Sequence, residues 1–157
     1  QTVLECHIDS VARHTWEDVE RVPLWDPNMD FSRIITKLTE TADIVTYGGG
    51  ANMLVSARDL VTARIYRKTA LGYRMAFRSV NLDEVPETKD RVRAHLYLGA
   101  LQLRPHPEHP DTKTIYDVIT LFDLKGMIPK MIINSIAGKI MVMDTEMKVK
   151  HFKELAE

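Results

Sequence analysis

Between residues 31 and 123 the chain repeats one pattern six times, and this repetition limits the fold more than any other feature. Apolar and β-branched runs of strand length fall near 33–39, 42–48, 58–67, 72–80, 91–103 and 113–123. Turn-forming residues part them: Glu40-Thr41, Gly48-Gly49-Gly50-Ala51-Asn52, Ala70-Leu71-Gly72, an acidic stretch over 82–90 and a proline-flanked stretch over 105–111. Breaks this short favour antiparallel hairpins, because a parallel pair needs a crossover of about a dozen residues. Residues 1–8 add a seventh strand, with Val3, Leu4 and Ile8 as β-formers and Asp9-Ser10 as the stop.

Helical spacing appears at two places. Asp9 or Ser10 is suited to cap a helix carrying Val11, Thr15, Val19 and Val22, and Pro23 and Pro27 confine it to one or two short helices. Pro129 then opens a long helix, where its missing N–H costs nothing. Ile132, Ile136, Ile140, Met143 and Met147 recur on one apolar face, and most of the lysines should face water. The order is strand, short helices, six antiparallel strands, long helix. This predicts a single α+β domain over 1–157 with a helix-grip fold, in which a curved antiparallel sheet of about seven strands wraps a long C-terminal helix.

Composition removes several function classes. Hydrophobic residues make up 45% and charged residues 27%, an ordinary globular mix. Twenty-one Lys+Arg against 22 Asp+Glu leave a formal charge of -1, with no electrostatic footprint for nucleic acid. Cys6 is the single cysteine, so no internal disulfide forms and a reducing, cytoplasmic setting is expected. There is no dinucleotide fingerprint, P-loop or nucleophile elbow. His106-Pro107-Glu108-His109 lacks a third ordered ligand and reads as a solvated loop, so neither a metal nor a cofactor is expected.

Two features remain. Five methionines (Met127, Met131, Met141, Met143, Met147) crowd the C-terminal window; they suit a core helix or a pocket wall that repacks around ligands. In Asp59-Leu60-Val61-Thr62-Ala63-Arg64-Ile65-Tyr66, alternation puts Thr62, Arg64 and Tyr66 on one face. Arg64 either meets solvent or enters a cavity, where its five donors can hold a hydroxyl, carboxylate or water.

Four segments occur in register: Trp25-Asp26-Pro27-Asn28, Ser56-Ala57-Arg58-Asp59-Leu60-Val61, Val92-Arg93-Ala94 and Asp123-Leu124-Lys125-Gly126-Met127-Ile128-Pro129-Lys130. Together they resemble the START domain, the lipid-transfer domain family named for the steroidogenic acute regulatory protein, and most of all its sterol-handling branch. A typical member carries a further helix and two strands ahead of the point where this chain begins, so the resemblance is to a short relative or a truncated version. It implies binding of one lipid, sterol-like or phospholipid, in a tunnel between sheet and helix, carriage between membranes, and transient contact with a membrane surface. The family's cavity arginine falls on Arg64. Its usual acidic partner falls at about Tyr47, which implies that the buried ion pair is missing and that the Tyr47 hydroxyl faces Arg64 or a ligand headgroup instead. The family gate falls on the loop over 48–57, with Gly48, Gly49 and Gly50 as hinges and Met53, Leu54 and Val55 as membrane-dipping side chains.

The expected lining is Tyr47, Thr62, Arg64, Tyr66, Tyr73, Met75 and Phe77, with Arg74 and Arg78 pointing away, then Leu96, Leu98 and Ala100, and Ile132, Ile136, Ile140, Met143 and Met147 on the helix. Such a protein needs an apolar chamber, one or two polar anchors and a door, but no chemistry. Two alternatives stand beside the carrier: a lipid-sensing module of a larger protein, and a cyclase or aromatase on the same scaffold using His95 and Asp117 as acid and base.

Overall fold

The computed structural model describes residues 1–51 and 55–156. Strand β1 (Thr2–Leu4) leads into helix α1 (Ile8–Trp16) and a 3-10 helix (Val19–Leu24). Six strands were expected next; seven follow: β2 (Phe31–Thr39), β3 (Ala42–Gly49), β4 (Arg58–Thr69), β5 (Gly72–Ser79), β6 (Val92–Arg93), β7 (His95–Pro105) and β8 (Thr114–Asp123). Helix α2 (Lys130–Ala156) closes the described chain. One sheet runs in the order β1-β8-β7-β5-β4-β3-β2 and is antiparallel at every step of that path. The curved sheet and the C-terminal helix form the helix-grip arrangement.

Two boundaries differ from the sequence reading. The first strand stops at Leu4 because His7, rather than Asp9 or Ser10, caps α1: its Nδ1 accepts the Asp9 N–H at 3.3 Å. The run over 91–103 is split. Val92 and Arg93 pair in parallel with Arg58 and Asp59 of β4, and only from His95 does the chain join β8 and then β5.

The continuous apolar core lies at one end of the sheet. Leu4, Cys6, Ile8, Val11, Ala12 and Trp16 from the N-terminal segment meet Met75, Leu101, Leu103 and Tyr116 from the strands and Phe152 from α2. Fully burying a side chain such as Phe152 or Leu103 contributes about 1.5–3 kcal/mol, so this end holds both helices on the sheet.

A bulge at Tyr97 sets the rest of the inner face. Leu96 pairs with Phe122 but Leu98 pairs with Leu121, so one extra residue on β7 inverts the alternation. Gly99, Leu101 and Leu103 therefore face inward. Leu98 is 51% exposed on the outer face, and Ala100 pairs there with exposed Ala76. These two members of the expected lining are corrected.

Candidate functional site

Strand register assembles the concave face. Ser32 and Ile34 of β2 sit beside Tyr47 and Val45 of β3, and Val45 sits beside Thr62 of β4. Thr62 is followed across the sheet by Ser79, Arg64 by Phe77 and Gly99, and Tyr66 by Met75, Leu101 and Val118. Tyr73 leads to Leu103 and Tyr116. Arg74 and Arg78 point outward and are exposed, as expected from their neighbours. The inner strand positions of the expected lining (Tyr47, Thr62, Arg64, Tyr66, Tyr73, Met75, Phe77 and Leu96) thus share one face.

Arg64 is paired, contrary to the expectation that its acidic partner is missing. The β3–β4 register puts Asp43, not Tyr47, opposite Arg64. Nε and Nη2 donate to the two Asp43 carboxylate oxygens at 2.8 and 2.6 Å, in a side-on fork. Nη1 and Nη2 also donate to the Thr15 and Trp16 carbonyls at 3.4 and 3.2 Å, at the C-terminus of α1. That end carries partial negative charge and unpaired carbonyls, so a cation suits it. The guanidinium also lies 4.3 Å from the Trp16 ring centroid. With side chains only 10% and 5% exposed, Arg64 and Asp43 clamp α1 to the sheet.

The face that α2 turns inward departs from the expected one. Ile136 is buried and Ile140 and Met147 half-buried, but Ile132 and Met143 are exposed. The inward row passes from Ile136 and Ile140 to Asp144, Lys148 and Phe152, each four residues from the last. Lys148 Nζ donates to Asp144 Oδ1. The pair lies within electrostatic reach of Tyr116 and Tyr47, and Asp26 within reach of Lys148. Burial pushes both phenols above the ordinary tyrosine range. Burial alone would lower the Lys148 ammonium, but Tyr116 and Asp144 outweigh it and hold it above the usual lysine range. Yet the Lys148 and Asp144 side chains keep 18% and 35% of their surface. The Tyr47 hydroxyl approaches Thr62 without completing a hydrogen bond, so the fully buried Thr62 Oγ1 has no partner. The sequence reading missed Lys148 because the lysines were assigned to water, and it did not weigh Asp144; their place in the row with Ile136, Ile140 and Phe152 was the available signal.

The four sequence segments tie the structure together. Asp26 accepts the Asn28 N–H at 2.9 Å in a tight turn, and this turn presents Trp25, which stacks on His151 of α2 at 4.1 Å. Asp59 and Arg93 form a two-point ion pair at 2.8 and 3.1 Å, which fixes β6 to β4. Arg58 donates to the Ser56 carbonyl at 2.6 Å and to the Leu124 and Lys125 carbonyls at 3.3 and 3.0 Å. It thereby joins the end of the 48–57 stretch to the approach of α2. That approach turns through two left-handed residues, Lys125 (φ 52°) and Gly126 (φ 75°).

Gly48 and Gly49 belong to β3 rather than to a hinge loop. A Cβ on Gly48 would lie 2.5 Å from the Arg58 carbonyl oxygen, and one on Gly49 2.3 Å from the Asn28 carbonyl oxygen. Their role is close backbone approach. Gly50 is exposed, Val55 is half-buried, and Met53 and Leu54 lie outside the described residues. His95 and Asp117 stand on the outer face: His95 packs edge-on to Tyr97, and Asp117 pairs with Arg104 at 2.7 Å. They do not converge into an acid–base pair. A surface groove of about 550 Å³ lies between Trp16 and the β2–β3 hairpin, and one of about 440 Å³ lies on the outer face beside Arg74 and Ile119. No helix among the described residues is long and apolar enough to cross a membrane.

Comparison with known proteins agrees with this geometry. The family model of the START domain matches residues 1–157. Steroidogenic acute regulatory-like protein 1 of Caenorhabditis elegans is 43% identical over 155 residues, which cover 98% of this chain and 60% of that protein. Steroidogenic acute regulatory protein of Xenopus laevis is 28% identical over 145 residues, covering 90% and 50% respectively. The chain therefore spans half or somewhat more of the length of these relatives. Among solved structures, human STARD10 superposes with a TM-score of 0.84 at 21% identity, covering 96% of this chain and 60% of the other. Human StAR-related lipid transfer protein 5 gives 0.82 at 22% identity, covering 99% and 74%. With the sheet, the gripping helix and all four segments in place, this chain belongs to the START domain family.

Proposed function

We propose that the chain holds one lipid between the inner face of its sheet and α2, and carries it between membranes as a non-enzymatic carrier. Membership of the START family supports lipid binding in general. One observation carries the finer reading. Phe77, Val118, Thr120 and Phe122 on the inner face, like Asp144 and Lys148 opposite, keep accessible surface although strands and helix enclose them. Close-packed interiors seal such side chains, so this pattern fits a chamber rather than a solid centre. A lipid in water exposes its apolar body at about 0.8 kcal/mol per methylene, and a dry chamber removes most of that cost. The 48–57 stretch, working against α2, is the door in this reading, and Arg58 is where the two meet. A cytoplasmic setting with transient contact at membrane surfaces belongs to the same proposal.

The test is organic extraction and mass spectrometry of the purified protein, followed by liposome-to-liposome transfer of the lipid class recovered. Recovery of about one lipid per chain and accelerated transfer are expected. A lipid-free protein that neither takes up nor moves lipid would sink the reading.

A further inference from the structure

We infer that Met127 and Met131 are reversible oxidation sites, and that sulfoxides on these two side chains weaken the hold of the carrier on a bilayer. The inference rests on the carrier reading above and adds a control that acts outside the chamber. Met127 follows the left-handed turn at Lys125 and Gly126, and Met131 lies four residues on, in the first turn of α2. Both are open to solvent over nearly their whole surface. Ile132 and Ile133 beside them are exposed as well, so the start of α2 presents four large apolar side chains. One exposed apolar side chain needs no explanation, but a group of four marks a contact. Its position says what it meets. Arg58 holds the end of the 48–57 stretch to the Leu124 and Lys125 carbonyls, just ahead of Met127. A lipid that leaves by this door must enter the bilayer there, so the side chains next to the door face the bilayer. A protein partner in the same place would block the exit.

Thioether chemistry supplies the control. The sulfur lone pair attacks one oxygen of hydrogen peroxide. The S–O bond forms, the O–O bond breaks, and the departing hydroxide takes up the remaining proton as water. The sulfur gives up two electrons and the peroxide takes them. Access governs which methionines react. Among the described residues, Met75 is buried and Met29, Met141 and Met147 are half-buried. The Met141 sulfur also accepts a hydrogen bond from Thr120 Oγ1 at 3.3 Å, which occupies a lone pair. Met143 is exposed, but less than half as much as Met127. Met127 and Met131 therefore react first. Each sulfoxide exchanges an apolar side chain for a polar one, which resists transfer out of water. The slower methionines leave the chamber as it was. Methionine sulfoxide reductases, one for each sulfoxide epimer, reverse the change.

The wild type, the double variant Met127→Leu with Met131→Leu, and the double variant Met127→Gln with Met131→Gln are floated with phosphatidylcholine–phosphatidylserine vesicles, before and after a limited dose of hydrogen peroxide. Peptide mapping by mass spectrometry locates the oxidised residues, and organic extraction measures lipid held per chain. In the wild type, Met127 and Met131 are expected to oxidise first, and vesicle binding to fall about tenfold, as loss of one buried apolar side chain implies. Lipid held per chain is expected to stay the same, and the reductases to restore binding. The leucine variant is expected to keep its own starting level of binding through the same dose. The glutamine variant imitates the sulfoxide and is expected to bind as weakly as the oxidised wild type; it carries the test alone should the leucine variant aggregate. Oxidation that spares both residues, binding that survives their oxidation, an equal loss in the leucine variant, or a glutamine variant that binds like the reduced wild type overturns this inference and leaves the carrier reading standing. A wild type that holds no lipid and ignores vesicles before any oxidation overturns both.

Discussion

The Arg64 guanidinium divides its donors between a carboxylate and the last carbonyls of α1, so its removal acts on folding first. Arg64→Leu leaves the buried Asp43 carboxylate without its cation. A loss of about 3–5 kcal/mol is expected in urea unfolding, with much of it recovered when Asp43→Leu is added. Alternation along β4 made the inward direction of Arg64 legible. Its partner was not legible, because the register of a hairpin depends on how its loop closes, and a shift of four residues exchanges Asp43 for Tyr47. His151 offers a second test. Burial, then His14, lowers its pKa below the ordinary histidine value. The unfolded chain therefore binds this proton more readily than the folded one, and stability should fall as pH drops through about 6.5. In His151→Phe, which keeps a ring against Trp25, this part of the pH dependence of Tm should vanish.

Among the elements, β7 and α2 share one kind of difference between expectation and structure. Each was read as one uninterrupted period. The bulge at Tyr97 shifts β7 by one residue and turns Leu98 and Ala100 outward. Past Ile140 the inward row of α2 keeps a spacing of four, which puts Asp144 in place of Met143 and adds Lys148, while Ile132, four residues before Ile136, is exposed in the first turn. Neither a bulge nor a helix's rotation about its axis is set by local sequence; tertiary packing decides both. By contrast, the four segments behind the family resemblance were legible because each is a local device: a turn that aims Trp25, an arginine that grips carbonyls, a two-point ion pair, a left-handed turn before a helix. The glycines can be separated in the same way. Gly49→Ala forces a methyl group against the Asn28 carbonyl and should cost about 1–3 kcal/mol. Gly138→Ala on α2 meets nothing within 4 Å and should add up to about 1 kcal/mol. Thermal unfolding of the two variants checks both signs.

For the molecule as a whole, apolar packing is concentrated at the end where α1 and the last turns of α2 meet the sheet. The polar stretch of α2 lies beyond it. A guest bound there stabilises the folded state by linkage, and at a hundredfold excess over Kd the gain is about 2.7 kcal/mol. Protein stripped of lipid should therefore unfold at lower temperature, and titrating back the recovered lipid should restore Tm in a concentration-dependent way. Cys6, buried in the packed end beside Phe152 with its thiol pushed up by burial, has a use of its own. As the sole sulfhydryl of the chain, it is a clock placed in the hinge side of the clasp. A disulfide reagent reaches it only when that end parts. Slow labelling during rapid lipid exchange would mean that the clasp opens at its far tip while its base stays shut. Labelling that keeps pace with exchange would mean that the whole rod swings away.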